Sequence, residues 1–280
     1  MATRPIITLT TDFGLDDEYV GAVKGVLLSL LPDVQLVDIT HSIAPQDIRK
    51  AAIIIGRACS FFPDTTIHLA VVDPGVGSAR PILAIKTTRG YFVGPDNGIF
   101  TAILQSESTI KIHHVTNSEL FLSPISRTFH GRDIMAPVAA RLAAGMNICK
   151  VGPPVASNAC YMLTACSPQI AGHHLTGEII SRDRFGNLRT NISEKDIKAF
   201  AGNRDISLKI GSKKTRGICS TYAEASAGEL ITVVDSFGSI EIAVICGNAA
   251  DELHAAVGDK VSITFSEDQG KQGLKNNNTP

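Results

Sequence analysis

The chain has 280 residues, 44% of them hydrophobic and 19% charged, with a formal net charge of −1. That length exceeds one comfortable hydrophobic core and points to two domains or one large α/β unit. A near-neutral charge balance, no Trp and only four Tyr argue against electrostatic nucleic-acid binding and against an aromatic base-stacking platform.

The first residues, MATRPIITLT, lack the apolar core of a signal peptide, and no run of about 20 apolar residues offers a membrane span. A cytoplasmic protein with no membrane or nucleic-acid partner is therefore expected. The six cysteines (59, 149, 160, 166, 219 and 246) form no CxxC pair, so they read as buried or incidental thiols. The doublets His113-His114 and His173-His174 fit no metal-ligand spacing and are expected to be ordinary surface or loop residues, with no metal site.

Residues 6–11 alternate apolar and β-branched side chains, the pattern of a first strand. The strand runs into Asp12-Phe13-Gly14-Leu15-Asp16-Asp17, and a helix is expected over 18–31. Acidic residues just before a helix are favourable on dipole grounds alone, which accounts for Asp16 and Asp17. Asp12 sits at the strand end instead, where a carboxylate can take both hydroxyls of a ribose. There is no GxGxxG and no P-loop lysine, so no phosphate cradle is indicated.

A second strand is expected over 34–39, ending in Thr40-His41-Ser42. A helix over 47–60 and a strand over 67–72 follow. The segment VVDPGVGSAR, 71–80, then places Asp73 at a strand's carboxyl end, where open α/β sheets put their ligand chemistry. Pro74 fixes φ, while Gly75 and Gly77 permit unusual φ, so the loop has a defined shape that can return Arg80 towards Asp73. A plain surface turn with a salt bridge is the alternative. Short strands over 82–86 and 91–93 form a hairpin, the GPDNG cluster turns the chain, and a helix is expected over 99–105. This alternation argues for a mostly parallel sheet covered by helices.

His130, in Thr128-Phe129-His130-Gly131-Arg132-Asp133, precedes a helix expected over 134–145. A helix N-terminus disfavours the imidazolium, and a neutral imidazole can accept a proton or hold a water. The composition changes over 151–172, with Pro153, Pro154 and Pro168 marking a connector. Beyond it, short strands are expected over 175–180, 206–210, 217–219, 230–234, 240–244 and 261–265, which suggests a small β-barrel or sandwich. The last polar residues, from Ser266, are expected to fray. Two turns stand out, Asp183-Arg184-Phe185-Gly186-Asn187 and Asp235-Ser236-Phe237-Gly238, the second followed by Gly247-Asn248-Ala249. They are ordinary β-turn chemistry or an adenine site, in which Asn187 matches the base edge and Phe185 stacks on the ring.

Taken together, TTDFG with DEYVG, VDPGVG with Arg80, GPDNG, FHGRD, RFGNLRTNI and GNAA resemble one family in collinear order across nearly the whole chain. It is the S-adenosyl-L-methionine (SAM) hydroxide adenosyltransferases, the SAM-hydrolysing relatives of fluorinase and chlorinase. The resemblance implies an N-terminal α/β sandwich-like domain with a mostly parallel sheet (1–152), a linker (153–172), a smaller C-terminal β-barrel domain (173–268) and a flexible tail (269–280). It also implies a homotrimer with active sites at subunit interfaces, and SAM as substrate with no cofactor. The family's hydrolase centre maps onto Asp73, Arg80 and His130. Asp12 matches the ribose-binding carboxylate and Asp17 an acid near the methionine amino group. Phe185, Asn187 and Ala249 match residues around adenine, and Ser236 a contact to the methionine carboxylate.

This chain departs from the halogenating relatives at several points. It has Asp73 where they have a tyrosine and Gly131 where the fluorinase has a serine, and it lacks the inserted loop; these departures point to water rather than halide. Phe237 in place of the fluorinase's arginine bears instead on how the methionine carboxylate is held, and Gln46 in place of its tryptophan on the packing over the ribose. A SAM-dependent halogenase and a non-catalytic SAM- or adenosine-binding regulator are the alternative readings. Either Asp73 or His130 would take the proton from the water.

Overall fold

The computed structural model describes residues 4–106, 111–164 and 167–265. The chain forms two compact units, Met1–Thr164 and Ala165–Pro280. Cys166, the stretch from Ser266 and the expected tail lie outside the described residues.

In the first unit the elements run β1 (Ile6–Thr11), α1 (Tyr19–Leu30), β2 (Gln35–Thr40), α2 (Ile48–Ala58), β3 (Ile67–Val71), β4 (Ile82–Thr87), β5 (Gly90–Pro95), α3 (Thr101–Ser106), β6 (Lys111–His114) and α4 (Ala136–Ala143). The sheet order is β2-β1-β3-β5-β4-β6. Strands β2, β1, β3 and β5 pair in parallel, and β4 is antiparallel to both neighbours. The sheet is thus mostly parallel, and all five residues of β3 are buried, as a strand covered on both faces requires. Ile67, Leu69 and Val71 pack with Val23, Leu27 and Val138 of α1 and α4. Ala70 and Val72 pack with Ala51, Ile55 and Ile103 of α2 and α3. The period-2 alternation of β3 therefore feeds two separate cores, and each fully buried Leu or Ile contributes about 1.5–3 kcal/mol over its exposed state.

Residues 153–155, at the start of the expected connector, pair along the open edge of β6. The His114 amide donates to the Pro153 carbonyl at 3.0 Å and the Val155 amide to the Ile112 carbonyl at 2.8 Å. That pairing explains a correction. His113 is not a surface residue; it is 6% exposed, with Nδ1 2.8 Å from the Gly152 carbonyl.

The second unit contains β7 (Gln169–Ala171), β8 (His174–Arg182), β9 (Leu188–Ser193), α5 (Glu194–Ala201), β10 (Ile206–Ile210), β11 (Lys213–Arg216), β12 (Leu230–Val234), β13 (Ser239–Val244), α6 (Ala249–Leu253) and β14 (Lys260–Phe265). Its sheet is antiparallel throughout, in the order β11-β10-β14-β8-β9-β13-β12, with β7 on β8. The path nearly closes on itself: the Thr215 hydroxyl of β11 lies 2.7 Å from that of Thr232 on β12, giving a barrel-like sheet. Residues 217–219 are not a strand; Cys219 makes only an isolated bridge to Val233, and the strand lies just before, at β11. Helix α5 was not expected. Ser193 starts it with a reciprocal capping box, accepting from the Asp196 amide while Asp196 accepts from its own.

No helix among the described residues is long and apolar enough to cross a membrane.

Candidate active site

The end of β3 builds the first unit's site. After Val72, Asp73 starts the Pro-Gly-Val-Gly turn, and the side chain of Arg80 folds back over Gly75, where an added Cβ would lie 3.4 Å from Arg80 Cγ. Arg80 Nε donates to Asp73 Oδ1 at 2.6 Å, and Nη2 donates to Oδ2. Nη1 donates to the Pro81 carbonyl at 3.1 Å. This is the bidentate fork that guanidinium geometry favours. Both side chains are largely shielded, at 5% exposed for Asp73 and 10% for Arg80.

His130 arrives from the other end of the cluster. Gly77 (φ +79°) packs so tightly on the carbonyl of Arg127 that a Cβ would collide with it, so the turn and the His130 segment are fitted together. Asp133, 1% exposed, accepts from the Ser126 amide at 2.7 Å and from Arg132 Nε at 2.6 Å. A π-helical turn, Gly131–Met135, then leads into α4; such turns recur at functional sites. At Gly131 an added Cβ would sit 2.9 Å from Val71 Cγ1, so glycine lets this turn press against the end of β3. The result places His130 Nδ1 3.5 Å from Arg80 Nη2. Burial first, and the Arg80 charge second, pull the His130 pKa below the ordinary histidine value, while Asp73 and Asp133 pull the other way. His130 stands at the N-terminal boundary of the π-helical turn, the placement expected from sequence.

Asp12, Asp73 and His130 line one cavity of about 310 Å³ together with Gln46, Thr128 and Phe129. Arg80 stands behind Asp73 and reaches this cavity through Asp73 and His130. Asp12 Oδ2 accepts from the Gln46 amide at 2.8 Å. Asp17 is exposed on the turn before α1 and is not brought to this cavity. Beside it, Phe13, Tyr19 and Phe129 form an aromatic trio with ring centroids 5.3–5.7 Å apart.

The second unit has its own cavity, of about 720 Å³, which Phe185, Asn187 and Ser236 line. Two turns of the same design shape it. Asp183 Oδ1 accepts from the Phe185 and Asn187 amides at 2.9 Å each. Asp235 Oδ1 accepts from the Phe237 and Ser239 amides at 2.8 and 3.0 Å. In each turn the glycine, Gly186 or Gly238, has positive φ, which the D-x-F-G pattern accommodates. Asn187 Nδ2 also donates to Asp183 Oδ2 at 3.2 Å. Ala249 is fully buried at the start of α6 and does not line this cavity, which Cys246 and Gly247 do. Phe185 is 75% exposed.

Sequence reasoning missed part of this second cavity. Glu241 is 2% exposed, accepts from the Tyr222 hydroxyl at 2.5 Å and lies 3.3 Å from Arg189 Nε. Burial and this carboxylate push the Tyr222 hydroxyl up to about 12. The signal was present: a lone Glu inside the apolar run SIEIAV marks a buried charge that needs a partner. Among the described residues no group of three or more His, Cys, Asp or Glu side chains is placed to hold a metal ion.

An α/β unit with an acid–arginine–imidazole cluster at the carboxyl end of a central strand, joined in one chain to an antiparallel barrel-like unit, defines a two-domain protein with a ligand-sized cavity in each unit. Comparison with known proteins assigns it more narrowly. Residues 7–152 match the family model described as SAM hydroxide adenosyltransferase N-terminal domain, and residues 177–262 match the corresponding C-terminal domain. The chain is 36% identical over 265 residues, covering 94% of it and 99% of the relative, to (R)-S-adenosyl-L-methionine hydrolase of Salinispora tropica. It is 28% identical over 290 residues to the fluorinase of Nocardia brasiliensis, covering 93% of this chain and 97% of that one. A crystal structure of an uncharacterized conserved protein from Thermotoga maritima superposes with a TM-score of 0.86 at 35% identity, covering 92% of this chain and 99% of that one. The chain belongs to the SAM hydroxide adenosyltransferase family.

Proposed function

We propose that the protein hydrolyses SAM, with water attacking C5′ of the ribose to give adenosine and L-methionine. The observation that carries this reading is the cluster of Asp73, Arg80 and His130, with Asp12 on the same cavity, in a chain of this family whose Salinispora relative bears the name of a SAM hydrolase.

The chemistry suits those groups. The leaving group is a neutral thioether and the sulfonium supplies its own activation, so neither a general acid nor a cofactor is needed. The weak partner is water. Holding it in line behind the C5′–S bond can contribute about 7–11 kcal/mol in ideal cases, and a group that takes its proton adds about 10²–10⁴-fold. In this mechanism Asp73 and His130 face the water, and His130, held neutral, is free to accept a proton. Arg80 is always protonated; it orients Asp73 and stabilises developing hydroxide character. Asp12 takes the ribose hydroxyls, Phe185, Asn187 and the backbone at Ala249 the adenine, Ser236 the methionine carboxylate and Asp17 the methionine amine.

The same proposal includes a cytoplasmic location and, as the resemblance implies, a homotrimer with active sites at subunit interfaces; sedimentation analysis of the purified chain tests the trimer. The activity is tested by incubating the protein with SAM and separating the products, with and without excess chloride or fluoride. Adenosine and methionine in both arms support hydrolysis. A 5′-halo-adenosine product favours the halogenase reading, and tight SAM binding without methionine release favours a regulator.

A further inference from the structure

The sequence marks Thr40-His41-Ser42 only as a strand end, yet His41 is 4% exposed and sits in a chain of polar contacts that leads to Asp12. Its Nδ1 lies 2.8 Å from the Thr11 hydroxyl, and Thr11 itself is 1% exposed. The Thr11 hydroxyl accepts from the Phe13 amide at 3.3 Å. On the other side of the ring, Nε2 is 3.1 Å from Asp38 Oδ1, and Asp38 Oδ2 accepts from Lys24 Nζ at 2.6 Å. The Nε2 contact is at ion-pair distance but falls short of a straight hydrogen bond.

Proton counting gives the chain a direction. A lone pair on Nε2 facing the Asp38 carboxylate would be repulsive, so Nε2 carries the hydrogen. In the neutral ring Nδ1 then has only a lone pair, and the Thr11 hydroxyl must donate to it. With its hydrogen so used, the Thr11 oxygen offers its remaining lone pairs to the Phe13 amide. The residues around His41 hold the same turn twice more: the His41 carbonyl accepts from the Gly14 amide at 2.8 Å, and the Gln46 amide donates to Asp12 Oδ2 at 2.8 Å. Gln46 does so from a left-handed backbone, φ 69°, a conformation that persists in a non-glycine residue only where the surroundings impose it.

We propose that His41 is a positioning residue for Asp12: the Asp38–His41–Thr11 chain fixes residues 11–14 so that the Asp12 carboxylate faces the cavity it shares with Asp73 and His130. The proposal deepens the functional reading and rests on its assignment of Asp12 to the ribose hydroxyls. His41 and Thr11 touch no substrate in this scheme; they act through the turn.

The test compares inhibition by adenosine and by 2′,3′-dideoxyadenosine, which lacks both ribose hydroxyls, in the full-length wild type and in Thr11→Val, His41→Gln and Asp38→Ala. Asp12→Ala serves as the reference, and thermal melts report folding. The wild type is expected to prefer adenosine by about tenfold or more, the magnitude of a charge-assisted hydrogen bond. Thr11→Val and His41→Gln are expected to lose most of that preference, with KM for SAM rising more than kcat falls, while Thr11→Ser keeps it. A purely structural role weakens both ligands equally and leaves the ratio unchanged; that result overturns the proposal. If the buried substitutions do not fold, Asp38→Ala, at the exposed end of the chain (39% side-chain exposure), decides. A preference lowered about threefold supports the proposal and an unchanged one overturns it. A wild type that shows no preference at all refutes the reading of Asp12, and the inference with it.

Discussion

Arg80 folds back onto Asp73, seven positions earlier in the chain, with Nε 2.6 Å from Oδ1 and Nη2 on Oδ2. Both oxygens of the carboxylate are thereby fixed in one plane. A lysine cannot reproduce that fork, because its ammonium is a single point charge. Arg80→Lys is therefore expected to lower kcat by about 10–100-fold, and Asp73→Ala by about 10²–10⁴-fold. Neither should weaken SAM affinity much, since neither group is assigned to hold the substrate. Single-turnover rates together with calorimetric binding check this.

His130 supplies a pH dependence whose sign follows from its surroundings. Its pKa lies below the ordinary 6.5, through burial first and Arg80 second. The active form is the neutral ring, so activity is expected to be flat at neutral pH and to fall on the acid side, below 6.5. Removing Arg80 takes away a charge that lowers the pKa, and removing the charge of Asp73 takes away one that raises it. Ring-proton NMR titrations are expected to move upward in Arg80→Ala and downward in Asp73→Asn. Shifts of the same sign in both variants contradict the geometry.

His68 affects stability rather than chemistry. It is buried in β3, stacked on Phe92 at 4.8 Å between centroids, with Nδ1 2.9 Å from the Thr8 hydroxyl. Burial pushes its pKa down to about 4, whereas an unfolded chain takes up the proton near 6.5. The contribution of the neutral ring is fully present above 6.5, is lost as the pH falls from 6.5 towards 4, and loses nothing more below that. The difference amounts to roughly 3 kcal/mol over that window. Urea unfolding at pH 7 and 4.5 is expected to show a smaller loss for His68→Gln than for the wild type.

Gly131 ties the site to the core. A Cβ there would meet Val71 Cγ1 at 2.9 Å, so Gly131→Ala must displace either β3 or the turn that carries His130. Overpacking of this kind costs about 1–3 kcal/mol. Gly131→Ala is expected to lower both Tm and kcat, and Val71→Ala in the same chain is expected to restore part of kcat by making room. Melting curves and turnover of the single and double variants check the coupling.

Much of this arrangement was legible in the sequence, because the elements that matter are short-range. The run of β3 into Asp73 and the return of Arg80 depend on ten adjacent residues, and the Pro-Gly-Val-Gly spacing encodes them. The D-x-F-G turns are equally local. What could not be read depends on contacts distant in the chain. The fit of Gly77 against Arg127, the burial of His113 under residues 152–155, and the contact between His41 and Thr11 each join segments about 30 or more residues apart. Strand β9 was hidden for another reason: RFGNLRTNI reads as a turn with site residues, and its alternating burial shows only when β8 and β13 lie on either side. Helix α5 carries a local signal that sequence reasoning passed over, the capping box of Ser193 and Asp196. Asp17 matches the family pattern by position, but in the first unit it stays on the exposed turn, outside the cavity of Asp73.

The central claim is that water, placed by Asp73, Arg80 and His130, attacks C5′ of SAM. Hydrolysis in ¹⁸O-water, read by mass spectrometry of the products, tests it most directly. The mechanism predicts one labelled oxygen at the 5′ position of adenosine and none in methionine. Unlabelled adenosine, or methylthioadenosine with homoserine as the products, would contradict it.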